Sequence, residues 1–187
     1  LYQGTVIRPR EPRILNLTAP QRLEGRPQEL YLQFLENLNR YHMLERPGEH
    51  DLEARASVYK LASRMQTAAR EALDLSQETE ATKKLYGMDD PATAEYGSRC
   101  LVARRVVERG GRFVQVFTQN QFWDHHGGIK KSLPAACKKV DKPSAALVTD
   151  LKQRGLLEET LLVWGGEFGR TPGAQGGNGR DPNPEGF

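Results

Sequence analysis

The chain has 187 residues and a net charge of +3, with 27 basic and 24 acidic residues. This length is enough for one domain with its own hydrophobic core. The charge is too small, and too evenly mixed with acidic residues, to indicate nucleic-acid binding. No apolar run reaches the roughly 20 residues that a membrane-spanning helix needs. The basic pairs Arg104–Arg105 and Lys138–Lys139 are expected on solvated helix faces.

The two cysteines, Cys100 and Cys137, are too few for a disulfide framework. Each falls in a helix-like segment, where we expect it to be buried as a small apolar side chain. The chain begins at Leu1 without a methionine and stops at Phe187 within a tail rich in glycine, proline and asparagine. We interpret residues 1–187 as a partial single domain of a longer protein, without an export signal in this piece.

Three regions follow one another along the chain. Residues 1–27 contain scattered prolines and no sustained period, which indicates an irregular connector. Residues 28–109 are expected to be mostly helical, because their apolar residues recur at helical spacing. The first two predicted helices, over 28–45 and 52–75, are joined by a link short enough to make them an antiparallel pair.

Residues 110–187 are predicted to form a strand, a loop, a helix and a second strand, followed by a glycine-rich tail. The runs Arg112–Thr118 and Leu161–Trp164 are almost continuously apolar, which is typical of strands covered on both faces. A helix over Pro134–Gly155 joins them, and such a connection forms a right-handed parallel unit. The sequence therefore predicts an α/β fold.

Polar side chains follow both predicted strands. Asp124, His125 and His126 come after the first, and Glu167 and Arg170 come after the second. The carboxyl ends of parallel strands meet at the same edge of a sheet, so we expect these side chains to lie close together. Carboxylates and imidazoles are ligands of zinc and manganese. The alternative for the first group is an ordinary polar loop.

Arg170 has the planar fork of donors that binds a tetrahedral anion such as sulfate or phosphate. Its alternative role is a structural ion pair with Glu167. The tail adds Arg180 and Asp181, and its run Gly176–Gly179 is not a dinucleotide fingerprint, because no helical pattern follows it. No serine lies in a nucleophile elbow and neither cysteine has a neighbouring histidine, so the sequence does not name a nucleophile.

Three long stretches carry a resemblance to a known family. They are YGSRCLVARRVVERGGRFVQVF, the WDHH loop, and LKQRGLLEETLLVWGGEFGRTP with AQGGNGRDPNPEGF after it. In this order they resemble the C-terminal half of a bacterial sulfatase-like family, DUF1501, over nearly the whole chain. That family is similar to the alkaline phosphatase superfamily. The resemblance implies the C-terminal part of an α/β/α sandwich, here with an N-terminal helical region, and a metal site that hydrolyses sulfate or phosphate esters.

The family's motifs assign expected roles to particular residues. Its W-D-x-H motif falls on Trp123, Asp124 and His126, so the resemblance implies that Asp124 and His126, rather than His125, bind the metal. Superfamily members usually carry an acidic metal ligand at the second strand end, and the resemblance gives this role to Glu167. Arg170 would then hold the anion.

The tail departs from the family's pattern. The family motif usually reads G-R-D-H, and here Gly179–Asp181 is followed by Pro182 instead of histidine. Asp181 is a further candidate ligand. Proline has no side-chain donor, so a zinc site would lose one ligand. In the superfamily the nucleophile and another metal-binding aspartate come from the first half of the sandwich, which this chain does not contain, so we expect the chain alone to be inactive.

The resemblance also implies partners and a location. We expect a divalent metal ion (zinc, manganese or calcium), a small sulfated or phosphorylated substrate, the N-terminal half of the parent protein, and an exported or periplasmic location. The alternative is a non-catalytic secreted binding or scaffold protein on the same fold, because a fold does not determine a function. A third possibility is a truncated chain without stable structure of its own.

Overall fold

A computed structural model of the chain describes residues 4–15, 17–18, 20–23, 25–48, 50–118, 121–166, 169–174, 176–183 and 185. The chain divides into two compact units, which we call the first unit (Leu1–Asp74) and the second unit (Leu75–Phe187). The described residues are mostly helical and contain one two-stranded antiparallel sheet. No helix among them is both long enough and apolar enough to cross a bilayer.

The first unit is a pair of antiparallel helices, α1 (Arg26–Leu44) and α2 (His50–Leu73). Gln28, near the start of α1, donates a hydrogen bond of 3.2 Å to Gln66, near the end of α2. Gly48, with a φ of +93°, reverses the chain between the helices, a conformation that favours glycine. The short Pro–Gly link therefore makes α1 and α2 an antiparallel pair, as the sequence predicts.

The second unit is built on the packing of two long helices. The helix α4 (Ala94–Glu108) lies against α5 (Ile129–Gln153), and the buried side chains of these two helices include Leu101, Val140 and Leu151. A Cβ atom at Gly97 would lie 2.2 Å from the carbonyl oxygen of Tyr86, so only glycine permits this close approach. The elements of the unit are α3 (Glu80–Leu85), α4 (Ala94–Glu108), α5 (Ile129–Gln153), β1 (Gly169–Arg170) and β2 (Pro182–Asn183).

The two predicted strands, Arg112–Thr118 and Leu161–Trp164, are not strands in the structure. Neither run pairs with another strand among the described residues, and a strand forms only where its backbone groups find such a partner. Their side chains stay exposed, to 82% at Phe113 and 89% at Leu161, so the expected cover on both faces is missing. The parallel unit does not form in the described part of the chain, and the α/β/α sandwich stays a prediction.

The basic pair Arg104–Arg105 is not solvated, which corrects the prediction. Arg104 is 1% exposed and Arg105 is 3% exposed. The physical reason is that acidic side chains are buried beside them: Glu78 forms ion pairs with both arginines, and Asp150 with Arg104. The other pair, Lys138–Lys139, is exposed as predicted.

The two cysteines differ in burial. Cys100 is buried, as predicted, and burial raises the pKa of its thiol to about 12, so the thiol stays protonated and unreactive at neutral pH. Cys137 is exposed, and the prediction of its burial was wrong. The buried side of α5 includes Ala136 and Val140, and Cys137 lies one residue, or about 100° of helical rotation, away from Ala136.

Candidate functional site: a histidine–carboxylate–arginine cluster

The glycine-rich tail folds back on itself through a short antiparallel pairing. Residues Gly169 and Arg170 of β1 lie opposite Asn183 and Pro182 of β2. The backbone N–H of Thr171 donates to the carbonyl oxygen of Asp181 at 2.9 Å, which extends the pairing towards the tip of the tail. The pairing places Asp181, the residue before β2, close to Arg170 in β1.

Asn178 attaches the folded tail to the start of α5. Its side-chain oxygen Oδ1 accepts a hydrogen bond of 2.7 Å from the backbone N–H of Gly128, and its carbonyl oxygen accepts one of 3.1 Å from the N–H of Ile129. Backbone N–H groups at a helix start have no partner within the helix, and a nearby asparagine commonly satisfies them. The cap of α5 is thus supplied by the tail and not by Gly128, the residue at the cap position.

The next two residues fix the tail against the WDHH loop. Gly179 is buried, and a Cβ atom there would lie only 2.0 Å from the carbonyl oxygen of His126. The backbone N–H of Arg180 donates to the carbonyl oxygen of His125 at 2.8 Å. Asn178 and Gly179 were not among the residues predicted from the sequence, where this run was considered only as a nucleotide-binding loop. An Asn-Gly dipeptide is a signal for a tight turn.

The docked tail brings four ionisable side chains into one continuous series of contacts. Nδ1 of His126 lies 2.8 Å from Oδ1 of Asp181, and Nε2 of His126 lies 2.9 Å from Oδ2 of Asp124. Nη1 of Arg170 donates to Oδ1 of Asp124 at 2.5 Å. We call these four residues the cluster. Four of the five predicted site residues are therefore brought together, although the predicted strands that would have carried them do not form.

The cluster shifts the pKa values of its members in opposite directions. The hydrogen bond from Arg170, with His126 nearby, lowers the pKa of Asp124. The hydrogen bond to Asp181, with the charge of Asp124 nearby, raises the pKa of His126. The His126 side chain is 57% exposed, so salt weakens these interactions. With His126 protonated, the two carboxylates are balanced by two cations.

We expect His126 to titrate above the 6.5 of an unperturbed histidine. Because its pKa is raised in the folded chain, the stability that it contributes is fully present below pH 6.5 and is lost as the pH rises through the raised value. An NMR titration of the imidazole protons measures this pKa directly. Asp181→Asn should bring it back towards 6.5, and an unchanged pKa in that variant would show that Asp181 does not contact the ring.

The donor types of the cluster suit a divalent cation, but the donors are not arranged around a common point. No group of three or more His, Cys, Asp or Glu side chains among the described residues could hold a metal ion as it stands. In the cluster the donors bind one another, with both ring nitrogens of His126 facing carboxylates. Two carboxylates and an imidazole nevertheless form a hard-to-borderline set that zinc or manganese accepts.

Two further residues bear on this set. Glu167, which the sequence also predicts as a metal ligand, lies outside the described residues, so its role stays a prediction. His125 lies outside the cluster. Its Nε2 atom is buried and has no hydrogen-bond partner within the part of the chain that the structure describes.

Together, the fold and the cluster define a mostly helical chain that holds a histidine–carboxylate–arginine cluster at the junction of a loop and a docked tail. Comparison with known families identifies where it belongs. The model of the family described as "Protein of unknown function (DUF1501)" matches residues 1–187, so the chain belongs to that family. No curated protein and no solved structure was found to match the chain.

Proposed function

We propose that the chain supplies the metal-binding and anion-binding part of a metal-dependent hydrolase of sulfate or phosphate esters. The observation that carries the proposal is the cluster itself: Asp124 and His126 from one loop meet Arg170 and Asp181 from the tail. The proposal includes the relationship to the alkaline phosphatase superfamily, its α/β/α sandwich and an exported location, all of which the sequence resemblance implies.

Each residue of the cluster has a role in this proposal. Asp124, His126 and Asp181 would hold a divalent cation, with Glu167 as a further ligand. The cation would activate a nucleophile from outside this chain and offset the charge of the departing group. Arg170 would hold the negatively charged oxygens of the ester through paired hydrogen bonds. A ring nitrogen that binds a cation cannot also bind a carboxylate, so His126 would exchange at least one of its present contacts for the metal.

We expect the chain to bind zinc or manganese and to lose most of that binding in Asp124→Ala and in His126→Ala. Calorimetric titration of the chain with each metal measures the change, which we expect to be at least about tenfold in affinity, in the range seen when metal-site partners are removed. Asp141→Ala and His50→Ala are matched controls, because both residues are exposed and neither belongs to the cluster. Unchanged affinity in both cluster variants would reject this cation site.

Pro182 provides a direct gain-of-function test. It lies opposite Arg170 in the short sheet, where directly paired side chains point to the same face. We propose that Pro182→His adds a ligand on the cluster side and tightens metal binding in the same titration. No gain in affinity would indicate that a side chain at this position does not reach the cation.

The second candidate is a non-catalytic binding or scaffold protein. Pro182 favours it, because the position that carries a histidine in the resembling family has no donor atom here and lies beside Arg170. This candidate predicts no hydrolysis of aryl sulfates or aryl phosphates by the full-length protein, even with zinc or manganese supplied. Turnover that disappears on chelation of the metal would reject it and support the hydrolase.

A further inference from the structure

Both carboxylate oxygens of Asp124 already have a nitrogen partner. Oδ1 accepts a hydrogen bond from Arg170, and Oδ2 faces Nε2 of His126. A divalent cation that binds Asp124 must therefore compete with the guanidinium of Arg170 for the same carboxylate. The distance of 2.5 Å between Nη1 and Oδ1 marks a close, charge-assisted contact.

The contact also limits what Arg170 can do. The Asp124 side chain is 16% exposed and that of Arg170 is 23% exposed, so this pair is shielded more than a fully solvated one. A guanidinium whose charge is offset by a nearby carboxylate attracts a second anion weakly, because the two anions repel each other. In the observed arrangement, Asp124 binds the guanidinium of Arg170, which in the proposed function binds the substrate.

We propose that the ion pair with Asp124 keeps Arg170 from binding anions. A divalent cation that binds to Asp124 breaks this pair, so that Arg170 can bind a sulfate or phosphate group. This inference rests on the proposed function, because it assumes that the cation binds at the cluster. The cation then binds before the anion. By linkage, the anion strengthens cation binding by the same factor by which the cation strengthens anion binding.

The test uses the whole chain, inorganic sulfate as the anion, and no added metal. In Asp124→Asn the negative charge of Asp124 is gone, so its restraint on Arg170 is weakened without a cation, and we expect sulfate to bind about tenfold more tightly than to the wild-type chain, a typical size for coupling between two sites. Asp141→Asn makes the same charge change on an exposed face of α5 and should leave sulfate binding unchanged. The double variant Asp124→Asn with Arg170→Met should lose the gain.

A second measurement tests the competition from the side of the cation. Arg170→Met removes the competing guanidinium, so zinc or manganese should bind more tightly than to the wild-type chain. Arg180→Met removes the same charge from the same tail and should have a smaller effect, because the Arg180 side chain donates to the carbonyl oxygen of Gly179 and not to Asp124. Weaker cation binding in Arg170→Met would mean that Arg170 positions Asp124 for the cation, and would overturn the inference.

The outcomes separate this inference from the proposed function. If neither metal binds the wild-type chain, the proposed cation site fails, while the metal-free sulfate measurement still tests whether Asp124 restrains Arg170. If a metal binds but Asp124→Asn gains no affinity for sulfate over Asp141→Asn, the proposed site stands and the inference is overturned. Circular dichroism of each variant verifies that the helices are intact.

Discussion

Replacing Arg104 with methionine should lower the free energy of unfolding of the second unit by about 3–5 kcal/mol, the cost of removing one partner from a buried ion pair. The Arg104 side chain is 1% exposed, and its guanidinium lies 2.7 Å from Glu78, 2.6 Å from Glu108 and 2.9 Å from Asp150. Methionine fills much of the same space but carries no charge. The loss would therefore come mainly from the buried carboxylates of Glu78 and Asp150, each of which loses one of its cationic partners.

The surrounding groups make this cost hard to avoid. The hydroxyl of Tyr86, itself fully buried, donates to Asp150 at 3.0 Å, and Arg154 forms ion pairs with both Asp150 and Glu108. These contacts hold the carboxylates in place, so they cannot turn out to solvent when Arg104 is removed. Arg105 still pairs with Glu78 in the variant, which sets the expected loss nearer the lower end of the range.

The effect should depend on pH in a defined direction. Burial alone would raise the pKa of Glu78, but hydrogen bonds from Arg105 and Arg104 outweigh it, so the pKa is lowered overall. A carboxyl with a lowered pKa contributes stability above its unfolded-state value and loses it as the pH falls through the folded-state value. The difference between the wild-type chain and Arg104→Met should therefore be larger at neutral pH than in acid.

Urea unfolding followed by tryptophan fluorescence measures this difference in unfolding free energy for the second unit. Both tryptophans, Trp123 and Trp164, belong to the second unit, so their signal reports on the unfolding of that unit. Lys138→Met is the matched control, because it makes the same type of change at an exposed position of α5, where an effect within about 0.5 kcal/mol is usual. A loss in Arg104→Met no larger than in this control would contradict the account of the buried network.

The helices could be predicted from the sequence because the signals that define them are local. Apolar spacing marks α1 and α2, and the Pro47–Gly48 link marks the break between them, so the observed bounds of these two helices lie close to the predicted ones. The two apolar runs predicted as strands show the limit of this reasoning. Strand formation depends on a partner for the backbone, and the composition of Arg112–Thr118 and Leu161–Trp164 contains no information on whether one is present.

The residues of the cluster were predicted from the sequence, but the reason why they lie together was not. Sequence reasoning grouped Asp124, His126 and Arg170 because each follows a predicted strand. The structure groups them because Asn178 and Gly179 attach the tail to the loop. The burial of Arg104 was missed for a related reason: its partner Asp150 is distant in the sequence, and a basic pair on a helix is usually solvated.

Gly179→Ala should detach the tail and disperse the cluster, while leaving the helices of the second unit intact. The added Cβ would lie 2.0 Å from the carbonyl oxygen of His126, and a backbone atom cannot rotate aside as a flexible side chain can. Relieving such a contact costs about 1–3 kcal/mol. Each hydrogen bond that holds the tail here, two at Asn178 and one at Arg180, contributes about 0.5–1.5 kcal/mol, so the clash offsets much of the attachment.

His126 reports on this detachment. When the tail moves away, the ring loses Asp181, the main cause of its raised pKa, so in Gly179→Ala the pKa measured by NMR should fall towards 6.5. Binding of zinc or manganese should weaken in the same variant if Asp181 is a ligand. Gly176→Ala is the matched control: it places the same methyl group in the same tail, where nothing lies within 4 Å of it. An unchanged His126 pKa in Gly179→Ala would mean that the tail can shift slightly and still keep Asp181 on the ring.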